Sequence, residues 1–245
     1  MDFVLIIPAR FRSTRLPGKP LVELAGKSMI RRVWERCIQA VPREQVYVAT
    51  DDARIMDHCH SSGIQCVMTR DDCLTGTDRI QDASRTINAD LYINVQGDEP
   101  LLDPGDITAV ITACRANPGA IVNAMCPITD EREYRSLTVP KVVARPDGRL
   151  LYMSRNGIPG NKSGAFITAK KQVCVYGFPK AALDAFAQAG SKMPLEENED
   201  IEILRFLELG YEVQMIEVSS ASVAVDTPDD VERVTRLIKS VEGDD

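Results

Sequence analysis

A short stretch near the N-terminus, residues 6–20, concentrates positive charge in a chain that is acidic overall. It reads IIPARFRSTRLPGKP and carries Arg10, Arg12, Arg15 and Lys19 with no acidic residue among them. A cluster of cations repels itself unless an anion lies against it. Arginine binds phosphate in a bidentate manner and lysine acts as a point charge, so Arg15 and Lys19 together suit a polyphosphate. The stretch lacks the GxxxxGK[ST] pattern of a P-loop, and the alternative interpretation is a solvated basic loop.

A second stretch, NVQGDEP at residues 94–100, places a carboxylate where a metal ion could bind. Gly97 has no side chain and allows close approach of a ligand to the backbone. Asp98 offers the hard oxygen ligand that Mg²⁺ prefers. Asp98 is therefore a candidate metal ligand.

A third stretch, TGTDR at residues 75–79, is predicted to open a helix. Free backbone N–H groups at a helix N-terminus, with the hydroxyls of Thr75 and Thr77, are available to a nucleotide. The alternative is a plain helix cap with no ligand.

The elements that position these residues follow an alternating pattern. Short β-rich runs are each followed by a helical pattern, which indicates βαβ units and a mainly parallel sheet. The predicted strand and helix pairs are Phe3–Ile7 with Met29–Ala40, Val46–Thr50 with Ala53–Ser62, Cys66–Met68 with Asp78–Ile87, and Leu91–Val95 with Asp106–Ala116. Ligands of such sheets bind beyond the carboxyl ends of the strands, where the first two stretches lie.

The sequence pattern changes in the second half of the chain. Residues of about 120–178 are rich in Pro- and Gly-punctuated strands and predict a β-rich, antiparallel insertion. Helices are expected at Lys180–Ala189 and Asn198–Leu209, then a strand at Glu212–Val218 and a last helix from Pro228, with Asp226 as a candidate N-cap. We expect a single domain over residues 1–245.

Composition excludes several classes of protein. The 245 residues are 44% hydrophobic, which supports an ordinary folded core, and the net charge of −7 argues against nucleic-acid binding. No apolar run approaches the roughly 18–20 residues that a membrane span needs, so we expect no membrane partner. Seven cysteines without a CxxC pair suit reduced thiols, which favours the cytoplasm.

Five ordered motifs, IPARFRSTRLPGKPL, VATDD, LTGTDR, NVQGDEP and AVDTPDD, resemble those of the 3-deoxy-manno-octulosonate (Kdo) cytidylyltransferases along nearly the whole chain. The resemblance implies a Rossmann-like α/β nucleotidyltransferase fold. It also implies a reaction of CTP with a sugar acid that releases pyrophosphate and gives a CMP-sugar for bacterial lipopolysaccharide or capsule. The implied cofactor is Mg²⁺, and the implied assembly is a homodimer formed through the insertion.

The resemblance also implies roles for individual residues. Arg10, Arg15, Lys19 and Asp98 would be catalytic, and Asp98 and Asp226 would hold the metal. CTP would be bound by the same three cations and by Ala9, Ala49, Thr50, Asp51, Thr75, Gly76, Thr77, Arg79, Gln96 and Gly97. The sugar acid would be bound by Gln96, Lys171, Tyr176, Glu196 and Glu199.

The sequence departs from the family at the end that binds the sugar acid. Gln172 stands where the family usually has histidine before its Tyr-Gly pair, and Ile203 stands where a polar residue is typical. These changes predict an acceptor pocket with an apolar wall at Ile203 and leave open Kdo, an altered Kdo, or a nonulosonic or amino-sugar acid. A non-catalytic protein that binds CTP or a CMP-sugar is a further alternative, although such a protein has no need of both metal carboxylates.

Overall fold

The structure is a computed structural model that describes residues 1–13, 15–218 and 222–243. Its strands, numbered in chain order, are β1 (Phe3–Ala9), β2 (Glu23–Leu24), β3 (Lys27–Ser28), β4 (Val46–Thr50), β5 (Gln65–Met68), β6 (Leu91–Val95), β7 (Ile121–Pro127), β8 (Lys141–Ala144), β9 (Leu150–Ser154), β10 (Lys170–Pro179) and β11 (Val213–Glu217). Its α-helices are α1 (Met29–Ala40), α2 (Ala53–Ser61), α3 (Gly76–Ala83), α4 (Pro104–Ala116), α5 (Glu131–Arg135), α6 (Lys180–Gln188), α7 (Pro194–Glu199), α8 (Ile203–Glu208) and α9 (Pro228–Glu242).

The central sheet has the strand order β11-β7-β10-β6-β1-β4-β5. Neighbouring strands in this order run parallel except where β10 is a partner, because β10 is antiparallel to both β6 and β7. All seven residues of β1 are buried, as expected for a strand in the middle of a sheet covered on both faces. The prediction of a mixed, mainly parallel α/β sheet is confirmed.

Helices cover both faces of the sheet, because successive side chains of a strand point to opposite sides. Leu5 and Ile7 of β1 belong to one buried cluster with side chains of α1, α2, α4 and α9. Val4 and Ile6 belong to a second cluster with side chains of α3, α6 and α8. The exits of the strands are therefore the part of the sheet that loops must cover, and the candidate site lies there.

The segment predicted as the insertion, about 120–178, contains two strands of the central sheet and an arm between them. The arm, residues 128–169, contains α5, β8 and β9, and β8 pairs with the start of β10. Lys141 of β8 is fully buried, and its ammonium group donates to the carbonyl oxygens of Ser136, Val139 and Arg155. These bonds tie β8 to the segment that precedes it and to the residue that follows β9.

The acidic segment predicted as one helix over Asn198–Leu209 forms two helices, α7 and α8. Between them, Asp200 has a left-handed backbone with φ of +50°. Lys192 donates to the Asp200 carboxylate at 2.7 Å, and the Arg155 guanidinium donates to its backbone carbonyl at 2.8 Å. The prediction of one helix is wrong because these tertiary contacts stabilise a break that helix propensity does not indicate.

None of the helices among residues 1–13, 15–218 and 222–243 has the length and hydropathy required to cross a bilayer.

Candidate active site

A cavity of about 400 Å³ opens where β1 and β6 end, between the loops that follow them and the side of β10. Many of the residues predicted from the motifs line it: Ala9, Arg10, Arg15, Lys19, Thr75, Gly76, Arg79, Gln96, Gly97, Asp98, Tyr176 and Asp226. The fold therefore brings together residues from all three thirds of the chain.

The basic loop after β1 is held by its own backbone and by one aromatic ring. Gly18 adopts a left-handed conformation with φ of +67°, and its N–H donates to the carbonyl of Phe11 at 3.1 Å. The guanidinium of Arg54 lies over the Phe11 ring, with 3.3 Å between its central carbon and the ring centroid. The loop then enters a short 3₁₀ helix at Lys19–Leu21, which places Lys19 in the cavity.

Two carboxylates from distant parts of the chain converge on the ammonium group of Lys19. Its Nζ is 2.7 Å from Oδ2 of Asp98 and 2.8 Å from Oδ1 of Asp226. Nη2 of Arg15 lies 3.1 Å from the same oxygen of Asp226. Burial lowers the pKa of Lys19, but Asp98 and Asp226 more than offset it, so the pKa lies above its usual value.

Asp226 was a candidate helix cap in the sequence, and the structure assigns that role to its neighbour. The hydroxyl of Thr227 accepts from the N–H of Asp230 at the start of α9. The N–H of Val225 donates to the carbonyl of Asp98 at 2.9 Å, so the two acidic loops are joined through their backbones. The Asp226 side chain is thereby free to face the cations of the basic loop.

Gly97 allows the loop after β6 to lie against the end of β1. A Cβ atom at Gly97 would lie 2.8 Å from the carbonyl oxygen of Pro8, which is closer than real Cβ contacts. The close approach predicted at Gly97 is therefore made by the protein's own backbone, where the ends of β1 and β6 touch. With this contact, Asp98 and Lys19 lie within hydrogen-bond distance.

The carboxyl groups at this site fit a divalent metal ion. The Lys19 ammonium group acts as a stand-in cation and shows that Asp98 and Asp226 can share one cation between them. Within the described parts of the chain, no three or more His, Cys, Asp and Glu residues are grouped to hold a metal. Two carboxylates suffice for Mg²⁺, because this ion commonly takes one or two carboxylates and completes its shell with substrate phosphates and water.

Glu99, next to Asp98, is buried. Burial, reinforced by the negative charge of Asp98, raises the pKa of Glu99 to about 7. Its carboxyl group is therefore partly protonated near neutral pH, unlike an ordinary glutamate.

The N-terminus of α3 is occupied by a carboxylate of the protein itself. Thr75 caps the helix by accepting from the N–H of Asp78, and Glu202 accepts from the N–H groups of Gly76 and Thr77 at 3.1 and 2.8 Å. The hydroxyl of Thr77 also donates to Glu202. Burial raises the pKa of Glu202, and the hydrogen bonds from Thr77 partly offset this effect. The sequence missed Glu202, which lines the cavity, because the acidic run around it is also typical of a helix start.

The residues predicted to flank the base do not line the cavity. Ala49 and Thr50 are fully buried in β4. The carboxylate of Asp51 accepts from the guanidinium of Arg79 at 2.8 Å, and the same guanidinium donates to the hydroxyl of Thr69 at 2.6 Å. Arg79 therefore reaches the wall of the cavity with its charge already paired.

Several residues predicted to bind the sugar acid serve other contacts. Both carboxylate oxygens of Glu196 accept from the buried guanidinium of Arg205. Glu199 accepts from the hydroxyl of Ser154 at 2.7 Å and the N–H of Arg155 at 2.9 Å. The Lys171 ammonium pairs with Glu133. These three residues do not line the cavity, whereas the predicted Tyr176 and Gln96 do.

Ile203 is 1% exposed and packs in the buried cluster beside α6. The predicted apolar wall at Ile203 is therefore wrong, because α8 turns this side chain into the core. Gln172 does line the cavity. Arg155 and Cys174 also line it, and the motifs did not predict these two as site residues.

Comparisons with known proteins agree with this geometry. The family described as cytidylyltransferase matches residues 4–216. The 3-deoxy-manno-octulosonate cytidylyltransferase of Escherichia coli is 36% identical over 235 residues, which cover 96% of this chain and 95% of the relative. The 8-amino-3,8-dideoxy-manno-octulosonate cytidylyltransferase of Shewanella frigidimarina is 40% identical over 241 residues, covering 95% and 97% of the two chains.

Solved structures give the same result. A structure of CMP:2-keto-3-deoxy-manno-octonic acid synthetase in complex with CTP has a TM-score of 0.91 at 35% identity and covers 98% of this chain and 100% of that one. A putative glucose-1-phosphate thymidylyltransferase from Bacillus anthracis shares the fold, with a TM-score of 0.66 at 14% identity and coverage of 96% and 94%. The fold and site thus define a nucleotidyltransferase. The chain belongs to the cytidylyltransferase family, and within it to the 3-deoxy-manno-octulosonate cytidylyltransferases, as its five motifs predicted.

Proposed function

We propose that this protein transfers the cytidylyl group of CTP to the anomeric hydroxyl of Kdo or a close analogue and releases pyrophosphate. The observation that carries the proposal is the convergence of Lys19 and Arg15 on Asp98 and Asp226 at the exits of the strands. Two cations for a leaving pyrophosphate and two carboxylates for a metal are the groups that this reaction needs.

The cations act on the leaving group. Negative charge builds up on the β- and γ-phosphates as they depart, and cations already in place stabilise that charge without reorganisation. Arg15 has a side chain that is 57% exposed, and Lys19 lies at the base of the same loop. Together with Arg10, which also lines the cavity, they form a cationic rim on which the triphosphate can bind.

Asp98 and Asp226 would hold Mg²⁺, which neutralises phosphate charge and lowers the pKa of the attacking hydroxyl when bound. A direct attack of this hydroxyl on the α-phosphorus needs no covalent intermediate with the protein. The described residues lining the cavity include no histidine, so a Ser-His or Cys-His pair is not available there.

The experiment is release of pyrophosphate on mixing the protein with CTP, Mg²⁺ and a panel of sugar acids. Kdo, its 8-amino analogue and a nonulosonic acid compare the acceptors that the sequence leaves open. Turnover that requires CTP, Mg²⁺ and one of these acids supports the proposal. Binding of CTP without release of pyrophosphate in the presence of any of these acids contradicts it and favours the non-catalytic alternative.

A CMP-linked sugar acid is an activated donor, so the product would serve surface polysaccharide synthesis, and we place the reaction in the cytoplasm.

We also propose that the protein is a homodimer that associates through its arm. On the arm, Leu137, Leu151 and Ile167 are 62%, 55% and 75% exposed to solvent. Apolar side chains exposed on one segment are typical of an association surface. Analytical ultracentrifugation tests this point, and a monomer at micromolar concentration contradicts it.

A further inference from the structure

Strand β10 is irregular where it passes the cavity. Val173 of β10 pairs with Ala124 of β7, whereas Tyr176 pairs with Asn123, so β10 carries extra residues between these pairs. Such a bulge interrupts the regular ladder of backbone hydrogen bonds. The side chain of Asn123 fills the gap, since its Nδ2 donates to the carbonyl oxygens of Val173 at 3.0 Å and Val175 at 2.9 Å.

These two bonds fix the orientation of the Asn123 amide. Asn123 is fully buried, and the opposite orientation would set its carbonyl oxygen against two other carbonyl oxygens. Its Oδ1 is consequently held away from the bulge. There it accepts from Nε2 of Gln172 at 2.9 Å.

The fixed amide of Asn123 in turn fixes the orientation of the Gln172 amide. A flipped Gln172 would bring its own carbonyl oxygen against Oδ1 of Asn123, which is unfavourable for the same reason. Gln172 lines the cavity. One N–H of its Nε2 is bound to Asn123, so Oε1, its acceptor atom, and the second N–H are left for a ligand.

We propose that Asn123 is a positioning residue that makes Gln172 present a hydrogen-bond acceptor to the sugar acid, so that Gln172 selects a hydroxyl or amino group of the acceptor and not its carboxylate. A carboxylate has no proton to donate and would face Oε1 with repulsion. A histidine, which the resemblance predicts at this position, can donate a proton or carry a positive charge. The replacement by Gln172 thus changes the polarity of this wall of the cavity.

The neighbouring groups favour the same kind of ligand. Glu202 and Asp200 also line the cavity; their carboxylates already accept from Thr77 and Lys192, and each keeps lone pairs for a further donor. Arg155 lines it too, but its guanidinium donates to the backbone carbonyls of Glu199, Asp200 and Leu137. This part of the cavity is therefore rich in acceptors and suits a substituent that donates.

The inference rests on the proposed function, and kinetics with Gln172→Met test it. Methionine has a similar length but no amide. We expect the KM for the sugar acid to rise about tenfold, as for loss of one hydrogen bond, while the KM for CTP stays unchanged. Gln188→Met, at an exposed position on α6, is the matched control and should match wild type.

The acceptor's carboxylate is tested separately. With a Kdo analogue whose carboxylate is replaced by a carboxamide, Gln172→Met should cause the same relative loss as with Kdo. If the loss disappears with the carboxamide, Gln172 contacts the carboxylate and the proposal is overturned. In a separate comparison of Kdo with its 8-amino analogue, a loss seen with Kdo alone identifies the 8-hydroxyl group as the partner, and a loss seen with the analogue alone identifies its ammonium group; either result supports the proposal.

The role of Asn123 has its own readout. Asn123→Leu should raise the KM for the sugar acid in the wild-type background but not in the Gln172→Met background. If Asn123→Leu does not fold, hydrogen exchange of the Gln172 side-chain amide, followed by NMR in the wild-type protein, replaces it. Slow exchange supports a bond to buried Asn123, and exchange as fast as that of Gln188 overturns it.

Failure of the proposed function and failure of this inference give different experimental results. A wild-type protein that releases no pyrophosphate with any acid contradicts the proposed function. A wild-type protein that turns over, with Gln172→Met showing the same KM values, contradicts only this inference.

Discussion

The residues predicted for the nucleotide end of the site and those predicted for its acceptor end have different kinds of ion-pair partner. At the nucleotide end, Arg15, Lys19, Asp98 and Asp226 have one another as ion-pair partners, and the side chains of Arg15 and Asp226 are 57% and 32% exposed. At the predicted acceptor end, Glu196 is buried against Arg205, and neither residue lines the cavity. A charge paired only with other site charges can exchange its partner for a ligand, whereas a charge buried in a structural pair cannot do so without a large penalty.

The largest expected effect is at the nucleotide end. Asp98→Asn removes an anionic ligand from the proposed Mg²⁺ site and should lower kcat by about a thousandfold or more while the protein stays folded. Steady-state kinetics with a Mg²⁺ titration measure this, and Asp57→Asn at an exposed position on α2 is the control. A near-normal kcat with unchanged Mg²⁺ dependence would remove Asp98 from the site.

At the acceptor end the corresponding change should affect stability and not substrate binding. Glu196→Gln leaves the buried Arg205 guanidinium without its main partner, so the free energy of unfolding should fall by about 3 kcal/mol. Urea denaturation measures the loss, and the exposed neighbour in Glu197→Gln serves as control. A raised KM for the sugar acid at unchanged stability would instead make Glu196 a sugar ligand, as the sequence predicted.

Glu99 is buried next to Asp98, and its effect depends on pH. Its pKa of about 7 in the folded protein exceeds the ordinary value of 4.5, so folding takes up a proton between these values. The stabilisation linked to that proton is complete below about pH 4.5 and is lost as the pH rises through 7. Glu99→Gln cannot ionise, so its advantage in unfolding free energy over wild type should grow with pH and reach about 3 kcal/mol near pH 8.

Urea denaturation of both proteins at pH 5 and pH 8 measures this difference. Glu44→Gln, at an exposed position, should show no such trend. A difference that does not change with pH would mean that Glu99 is ionised in the folded protein throughout this range.

The smallest expected effect separates the phosphates from the base. Lys19→Ala should weaken CTP binding about tenfold and CMP binding less than twofold, because the lysine charge is placed for the β- and γ-phosphates. Calorimetry with both nucleotides measures the two affinities, with Lys162→Ala on the arm as control. An equal loss for CTP and CMP would place Lys19 away from the triphosphate.

Much of the fold was predictable because its signals are local. The bounds of β4, β6 and α1 agree with the sequence prediction, since apolar runs and helical periodicity decide them. The break at Asp200 was not predictable, because Lys192 and Arg155 stabilise it from distant positions. The place of β7 and β10 in the central sheet depends on strand pairing, which a single sequence does not contain.

The site residues divide in the same way, into those that local sequence signals predict and those that depend on distant contacts. The basic loop and Asp98 follow strand ends, so topology alone brings them together. That Asp226 faces Lys19 depends on Thr227 taking the cap, a choice between two adjacent residues that both cap helices well. Glu202 escaped prediction, and Gln172 was predicted for the pocket without its partner Asn123, because these contacts join residues more than forty positions apart in sequence.

The backbone bond between Val225 and Asp98 has a consequence for the order in which the molecule becomes active. A ribosome makes the chain from its N-terminus, and all strands of the central sheet precede Asp226. A nascent chain that has reached residue 218 holds every strand, the basic loop and Asp98, but only half of the acidic pair. The proposed pair of metal-binding carboxylates is therefore completed last, after the sheet that carries it has been synthesised.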